Sequence, residues 1–279
     1  MKKIFIFALL TLSLSIAYAC SDDDKNSIEP GDGELPKLDI SNLREAPFKF
    51  GGAININALK NDEKYREIVV REFSSITAEN AMKMTVISKG QGVYDYTDAD
   101  YLVDFAIQNN MRVHGHVLIW YNSTPNWLNL FSGTKEQWKA LMKQYIQDVV
   151  THFKGKVLSW DVVNEAIMDD GTYRPCVWLT NIGTEYVELA FQYAHEADPD
   201  AILFYNEYGT EYSHTKNVAI SKMLDALIDK GVPIHGIGMQ MHTDIDKKEN
   251  QLKYAIRTAA ARNLKVHISE LDVAVNPNE

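Results

Sequence analysis

From residue 46 onward, apolar and polar positions alternate in blocks. Seven short apolar runs read as strands: FKFGGAI (48–54), FSSIT (73–77), MRVHGHVLIW (111–120), VLSWDVVNE (157–165), AILFYNE (201–207), IHGIGMQMH (234–242) and LKVHISELDV (264–273). Between them, positions with a period near 3.6 predict helices over 61–73, 97–110, 135–153, 184–197, 215–230 and 249–262. Asn109-Asn110 and Gly231 are helix stops. Strands alternating with helices imply parallel pairing and right-handed crossovers. An open doubly wound sheet and a closed barrel both satisfy that pattern. No glycine-rich phosphate loop follows the first strand, which weakens the dinucleotide-binding version of the open sheet.

Polar residues at the strand ends decide between the two. Glu79 and Asn80 follow the second strand, His116 and Trp120 lie on the third, and Glu165 closes the fourth. Asn206 and Glu207 close the fifth, Gln240 and His242 the sixth, Glu270 and Asp272 the seventh. A barrel gathers its strand ends around one axis, so these groups would share a site, whereas an open sheet would string them along an edge. The expected fold is α/β, a TIM (β/α)8 barrel over 46–279 with about seven strands present and its last unit missing.

The remaining segments read differently. Lys2 and Lys3 precede an apolar run and small residues, the pattern of an export signal over 1–20. That run is too short to span a bilayer as a mature helix. Ala17-Tyr18-Ala19-Cys20 resembles a bacterial lipobox, with lipid on Cys20; an ordinary secretory signal cut nearby is the alternative. SDDDK after Cys20 resembles the acidic tag of some surface-exposed outer-membrane lipoproteins. The chain is therefore expected to be exported and lipid-anchored, at the outer membrane or cell surface. Residues 21–45, rich in Asp, Ser, Pro and Gly, read as a flexible tether. Cys176 is the only other cysteine, so no disulfide framework is expected, and it reads as inert. The net charge of −10 argues against nucleic acid, whose phosphates call for a basic face.

Glu165 and Glu270 carry the candidate chemistry. A strand-end Glu most often marks where the strand meets water. Two carboxyl groups facing across a barrel mouth are instead the minimum equipment for hydrolysing a glycosidic bond. Asn164 could bond a sugar 2-hydroxyl. Gln240 and His242, two apart, are expected to share a strand face, as are Glu270 and Asp272, so that His242 would hold Glu270 in place.

FGGAI, TAENAMK, GHVLIW, WDVVNEA, GMQMH and ISELDV, in this order along the chain and each at a strand end, together resemble glycoside hydrolase family 10, the retaining endo-β-1,4-xylanases. The resemblance implies a two-carboxylate double displacement on xylan or xylo-oligosaccharide, with no cofactor and no metal, by a monomer. It implies Glu165 as acid/base, Glu270 as nucleophile and His242 as the nucleophile's support. Asn164 and Asp272 would support the pair. Glu79, Asn80, Lys83, His116 and Trp120 would line the non-reducing-side sugar sites, and Asn206 and Tyr208 the leaving-group side, with Gln240 also at substrate. The chain departs from the family's pattern at Met84 (usually Trp), at Tyr121 and Ser123 (commonly His and Gln), and at Glu207-Tyr208-Gly209 (usually Asp-Tyr-Asn). The family's eighth strand brings Trp residues over the sugar beside the cleavage point, and the seven units have no counterpart to them.

Two other readings compete. A surface lipoprotein that binds xylan without cleaving it, or an inactive fragment, would keep the cleft but not turn over. A metal-dependent barrel hydrolase would use His114 and His116, which share a strand face, but no third or fourth ligand is evident in the sequence. Trp138 and Trp160 are expected in the core. Trp127 and Trp178 could pack or face sugar, and Asp161 is either a buried hydrogen-bonding group or an acid behind the catalytic pair.

Overall fold

A computed structural model describes residues 39–247 and 249–275. The chain divides into a segment over Met1–Asp39 and a unit over Ile40–Glu279. The expected export signal, Cys20 and most of the expected tether lie outside the described residues. The tether's last residues do not behave as one. Leu43–Glu45 forms a 3-10 helix ahead of the expected domain start. Arg44 ties it down by donating to the carbonyls of Val70, Phe73 and Asn109 at 3.0, 2.9 and 2.7 Å.

The central sheet has seven parallel strands in sequence order. They are β1 (Gly51–Ile54), β2 (Ser75–Ala78), β3 (Arg112–Trp120), β4 (Ser159–Asn164), β5 (Ile202–Glu207), β6 (Gly236–Met239) and β7 (Lys265–Ile268). All six residues of β4 are buried, as a strand covered on both faces requires. The sheet curls. Four strand spacings separate β3 from β7, about 19 Å if the sheet were flat, yet the ring centroids of His114 on β3 and His267 on β7 lie 4.5 Å apart. Among the described residues, β1 and β7 each pair on one side only.

Helices cover the outside. The helix Lys135–His152 starts with a reciprocal capping box between Thr134 and Gln137. It buries Trp138, Leu141, Met142, Tyr145, Ile146, Val149 and Val150, one stripe at three- and four-residue spacing. Each aliphatic side chain so buried contributes about 1.5–3 kcal/mol. The first expected helix, 61–73, forms as Glu63–Glu72, and a helix not expected, Ile56–Asn61, precedes it; Asp62 and Asn55 cap them. Side chains that cap both helices break the pattern there, since each offers the backbone a bond outside the helix. No helix among the described residues is long and apolar enough to cross a membrane.

Two expected strands end early. Residues 234–242 yield β6 and then a separate short strand, His242–Asp244, because Met241 sits at φ 60° and turns the chain. Residues 264–273 yield β7 and then Asp272–Ala274, which pairs in parallel with His242–Asp244.

Candidate active site

Strand register sets the floor of the site. Trp120 on β3 stands opposite Asn164 on β4, Asn164 opposite Asn206 on β5, and Asn206 opposite Gly238 on β6. Glycine is needed at 238, where a Cβ would lie 2.1 Å from Asn206 Oδ1. The carboxamides above this floor form a continuous network. Asn206 Nδ2 donates to Asn164 Oδ1 at 3.0 Å and to Glu270 Oε1 at 2.8 Å. Gln240 Nε2 donates to Asn164 Oδ1 at 3.1 Å and to Glu165 Oε1 at 2.9 Å. Asn164 Nδ2 reaches Glu165 Oε1 at 3.2 Å. Two carboxylates more than a hundred residues apart in sequence are thus held by one set of amides. Each amide has a donor and an acceptor to spend, so the network orients both acids at once.

Glu165 is buried and lies just past the end of β4 at φ 56°. That left-handed backbone is uncommon for a residue with a side chain and costs of order 1–3 kcal/mol unless its surroundings enforce it. They do. The Glu165 N–H donates to Asn206 O at 3.0 Å, and its carbonyl accepts from Arg174 Nε at 2.9 Å. Ala166 N–H donates to Tyr205 Oη at 3.1 Å, and Ile167 N–H to Glu207 Oε2 at 3.3 Å. The main chain that carries Glu165 therefore rests on three consecutive residues of β5 and on one arginine.

Glu270 lies beyond β7 and is half-buried. His242 Nε2 lies 3.5 Å from Glu270 Oε2, and His242 Nδ1 bonds Asp272 Oδ2 at 2.7 Å. The contacts expected of His242 are present, but the shared strand faces are not. The turn at Met241 sends Gln240 inward and buried to Glu165, while His242 is 45% exposed. Glu270 likewise falls between β7 and the outer strand that holds Asp272. The pairing of those two outer strands, with His242 opposite Asp272, is what joins the three side chains.

The expected sugar-side residues cluster beside this pair. Glu79 accepts from Asn55 Nδ2 at 3.0 Å and from Asn80 Nδ2 at 3.3 Å. Lys83 donates to Asn80 Oδ1 at 2.9 Å and lies 5.0 Å from the Trp120 ring centroid. Burial pushes the Lys83 ammonium below its ordinary range, while Glu270, Glu79 and Glu165 pull it back up. Its charge therefore sits among all three carboxylates. His116 bonds Asp161 Oδ2 through Nδ1 at 2.9 Å, and its ring lies 6.2 Å from that of Trp120. Asp161 is a buried acceptor behind the site; burial pushes its carboxyl up, but His114 and His116 outweigh that and hold it well below the usual carboxylate range. Tyr208 faces two cations, accepting from Arg174 Nη2 at 2.9 Å with Lys216 Nζ 3.1 Å from its ring centroid.

Some residues that shape the site gave no sequence signal. Ser269 donates to Asn206 Oδ1 at 2.7 Å, Asn55 holds Glu79, and Arg174 and Lys216 support the loop after β4. Position beside a motif residue could have flagged Ser269 and Asn55; nothing local marks Arg174 or Lys216. Of the departures from the family pattern, Met84 is buried in the core. Ser123 is buried against Thr85, bonding its N–H and Oγ1 at 3.2 and 3.1 Å. Tyr121 is exposed, its ring 4.6 Å from the Arg174 guanidinium. Trp138, Trp160 and Trp178 are core residues, and half-buried Trp127 donates to Ser88 O. Burial pushes the Cys176 thiol up, away from the reactive thiolate.

A family model described as glycosyl hydrolase family 10 matches residues 39–279. Endo-1,4-beta-xylanase B of Thermotoga neapolitana is 39% identical over 243 residues, 87% of this chain and 70% of the relative. Beta-1,4-xylanase of Dictyoglomus thermophilum is 40% identical over 248 residues, 87% of this chain and 69% of the relative. Among solved structures, xylanase 10B from Thermotoga petrophila RKU-1 in complex with xylobiose superposes with a TM-score of 0.79 at 41% identity. The match covers 86% of this chain and 75% of that one.

Proposed function

The chain belongs to glycosyl hydrolase family 10, and from that premise we propose that it is an endo-β-1,4-xylanase working by double displacement, with Glu165 as acid/base and Glu270 as nucleophile. The observation that carries the residue assignment is the shared amide network. It joins two carboxylates from opposite parts of the barrel and leaves each with an oxygen to act. Both amide donors on Glu165 converge on Oε1, so Oε2 is the atom that presents a proton.

In the first step Glu165 protonates the departing glycosidic oxygen as Glu270 attacks the anomeric carbon, forming a glycosyl ester. In the second, Glu165 takes a proton from water, which displaces Glu270 and restores both acids. Asn206 holds Glu270 Oε1, and His242 stands at the other oxygen. Glu79, Asn80, Lys83, His116 and Trp120 bind sugar on the non-reducing side, and Tyr208 on the other. The test is the anomer released first from a xylo-oligosaccharide, followed by NMR. Retention supports the double displacement, inversion overturns it, and stable binding without new reducing ends would favour a binding protein.

The chain is also proposed to act as a monomer, exported and anchored by lipid on Cys20. The support is the Ala17-Tyr18-Ala19-Cys20 stretch and the acidic run after it. Cys20→Ala should move the protein from the membrane fraction to the soluble one; an unchanged distribution would remove the anchor.

A further inference from the structure

We propose that His114, Asp161 and His267 form a structural site for zinc(II), or a divalent ion of similar ligand preference, inside the barrel and apart from the reacting carboxylates. The three come from β3, β4 and β7, and one potential ligand atom from each lies within 4.8 Å of the other two. Two imidazoles and a carboxylate suit zinc, cobalt and nickel. Tetrahedral zinc wants its ligand atoms roughly 3.4 Å apart, so atoms within 4.8 Å of one another need close in by at most about 1.4 Å.

The unmet bonding in this cluster is what points to an ion. His114 Nε2, Asp161 Oδ1 and His267 Nδ1 are all buried, and none has a hydrogen-bond partner. His114 Nε2 comes within 3.1 Å of Asp161 Oδ2 without the alignment of a hydrogen bond. A buried polar atom left unpaired costs about 1–3 kcal/mol, and three at one place is an unusual concentration. One cation would satisfy all three.

The surroundings are arranged for ligation. His114 Nδ1 lies 2.7 Å from Ser159 Oγ, which also accepts from Arg112 Nη2 at 2.8 Å. With Nδ1–H donating to Ser159, the lone pair of His114 falls on Nε2, the atom 3.1 Å from Asp161 Oδ2. Such an outer bond fixes the tautomer of a metal-binding histidine. Gly236 and Gly238 make room on the wall of β6 for Phe204 and Asn206, since a Cβ would lie 2.3 Å from the Phe204 ring and 2.1 Å from Asn206. Phe204 in turn packs against both histidines, its ring centroid 5.8 Å from that of His114 and 5.6 Å from that of His267. His116 Nδ1, 2.9 Å from Asp161 Oδ2, holds that carboxylate from the substrate side.

An ion here would staple β7 to β3 and β4. Among the described residues β7 pairs with β6 alone, and Glu270 follows two residues after its end. The ion would thus fix the strand that carries Glu270 without touching substrate, and the inference does not depend on xylan cleavage.

The experiment uses the full chain without a histidine tag, stripped by chelator and titrated with cobalt(II) alone and then zinc(II). The expected result is one cobalt per chain with the visible ligand-field band of a four-coordinate ion, displaced by zinc, and a Tm that rises with zinc concentration. His267→Gln should lose the band and the Tm rise. Ser159→Ala, which keeps all three ligands, should weaken binding about 10- to 100-fold. His152→Gln, at a half-exposed histidine elsewhere, should change neither. The proposal fails if the folded wild-type chain shows no band at one equivalent, or if His267→Gln and Ser159→Ala both bind as wild type does. Should the substituted chains not fold, the stoichiometry and band of the wild-type chain decide it.

Discussion

Glu207 and Lys216 meet at 3.0 Å with neither side chain exposed to solvent. Glu207 is the last residue of β5 and also accepts from Tyr205 Oη at 2.7 Å and from Ile167 N–H. The pair therefore bears on the main chain that carries Glu165. At pH ~8, above the value of about 7 to which Glu207 is raised, Lys216→Met would leave the Glu207 charge buried without a cation, a loss of about 3–5 kcal/mol. The double change Lys216→Met with Glu207→Gln should recover much of it, because no charge is then left unpaired. Urea unfolding of the four proteins measures this; equal losses in the single and double variants would show that the pair is not the cause.

The same carboxyl sets a pH dependence. Burial, outweighing the pull of Lys216 and Tyr205, pushes Glu207 up from 4.5 to about 7. Between those values the folded chain keeps a proton that the unfolded chain has released. This contribution to stability is complete below pH 4.5 and is lost as the pH rises through about 7. Glu207→Gln should flatten that part of the profile, checked by urea unfolding near pH ~5 and ~8. A profile with the same slope in both proteins would rule Glu207 out.

Replacing each acid should separate their roles. Glu165→Ala should slow cleavage of xylan, a poor leaving group, by about 10²–10⁴-fold, and should spare the first step on an activated aryl xyloside. Glu270→Ala should abolish turnover of both. Initial rates on the two substrates measure the split, and equal losses for Glu165→Ala would remove it from the acid role.

Asn206 bonds both Asn164 and Glu270 through one nitrogen. A hydrogen bond to a charged group is worth about 1.5–3 kcal/mol, so Asn206→Ala should lower kcat/KM by roughly 10- to 150-fold. Circular dichroism should show the fold retained. A loss below threefold would mean that Glu270 is positioned by other contacts.

Gly238→Ala should reach the same centre indirectly. The new methyl would occupy space that Asn206 Oδ1 holds, at a cost of about 1–3 kcal/mol in stability. It should also lower activity, and that loss should shrink in an Asn206→Ala background, where the clash is relieved. Full additivity of the two substitutions in kcat/KM would contradict the clash.

The order of elements was legible in the sequence because its cause is local. A strand between covering helices must be apolar throughout, as 159–164 is, and a surface helix must carry its stripe, as 135–152 does. The places of Glu165 and Glu270 past their strand ends were legible through the motifs WDVVNEA and ISELDV, whereas the strand pattern alone does not tell Glu165 from Glu207, which closes β5 and is buried. What the sequence left open depends on contacts between distant residues. The strand pattern runs on past Met239 and Ile268, yet the chain turns at both places, since the groups it must deliver to Glu165, Glu270 and Asp272 lie in different directions. Lys216, near the start of a helix, reads as a surface residue until β5 supplies Glu207 to pair with it. His114 and His267 look unrelated until the sheet curls and brings their rings into contact. Local pattern determined which elements form and which residues end them; only the closure of those elements on one another decided the partners of the buried polar groups, because each such partner comes from a different strand.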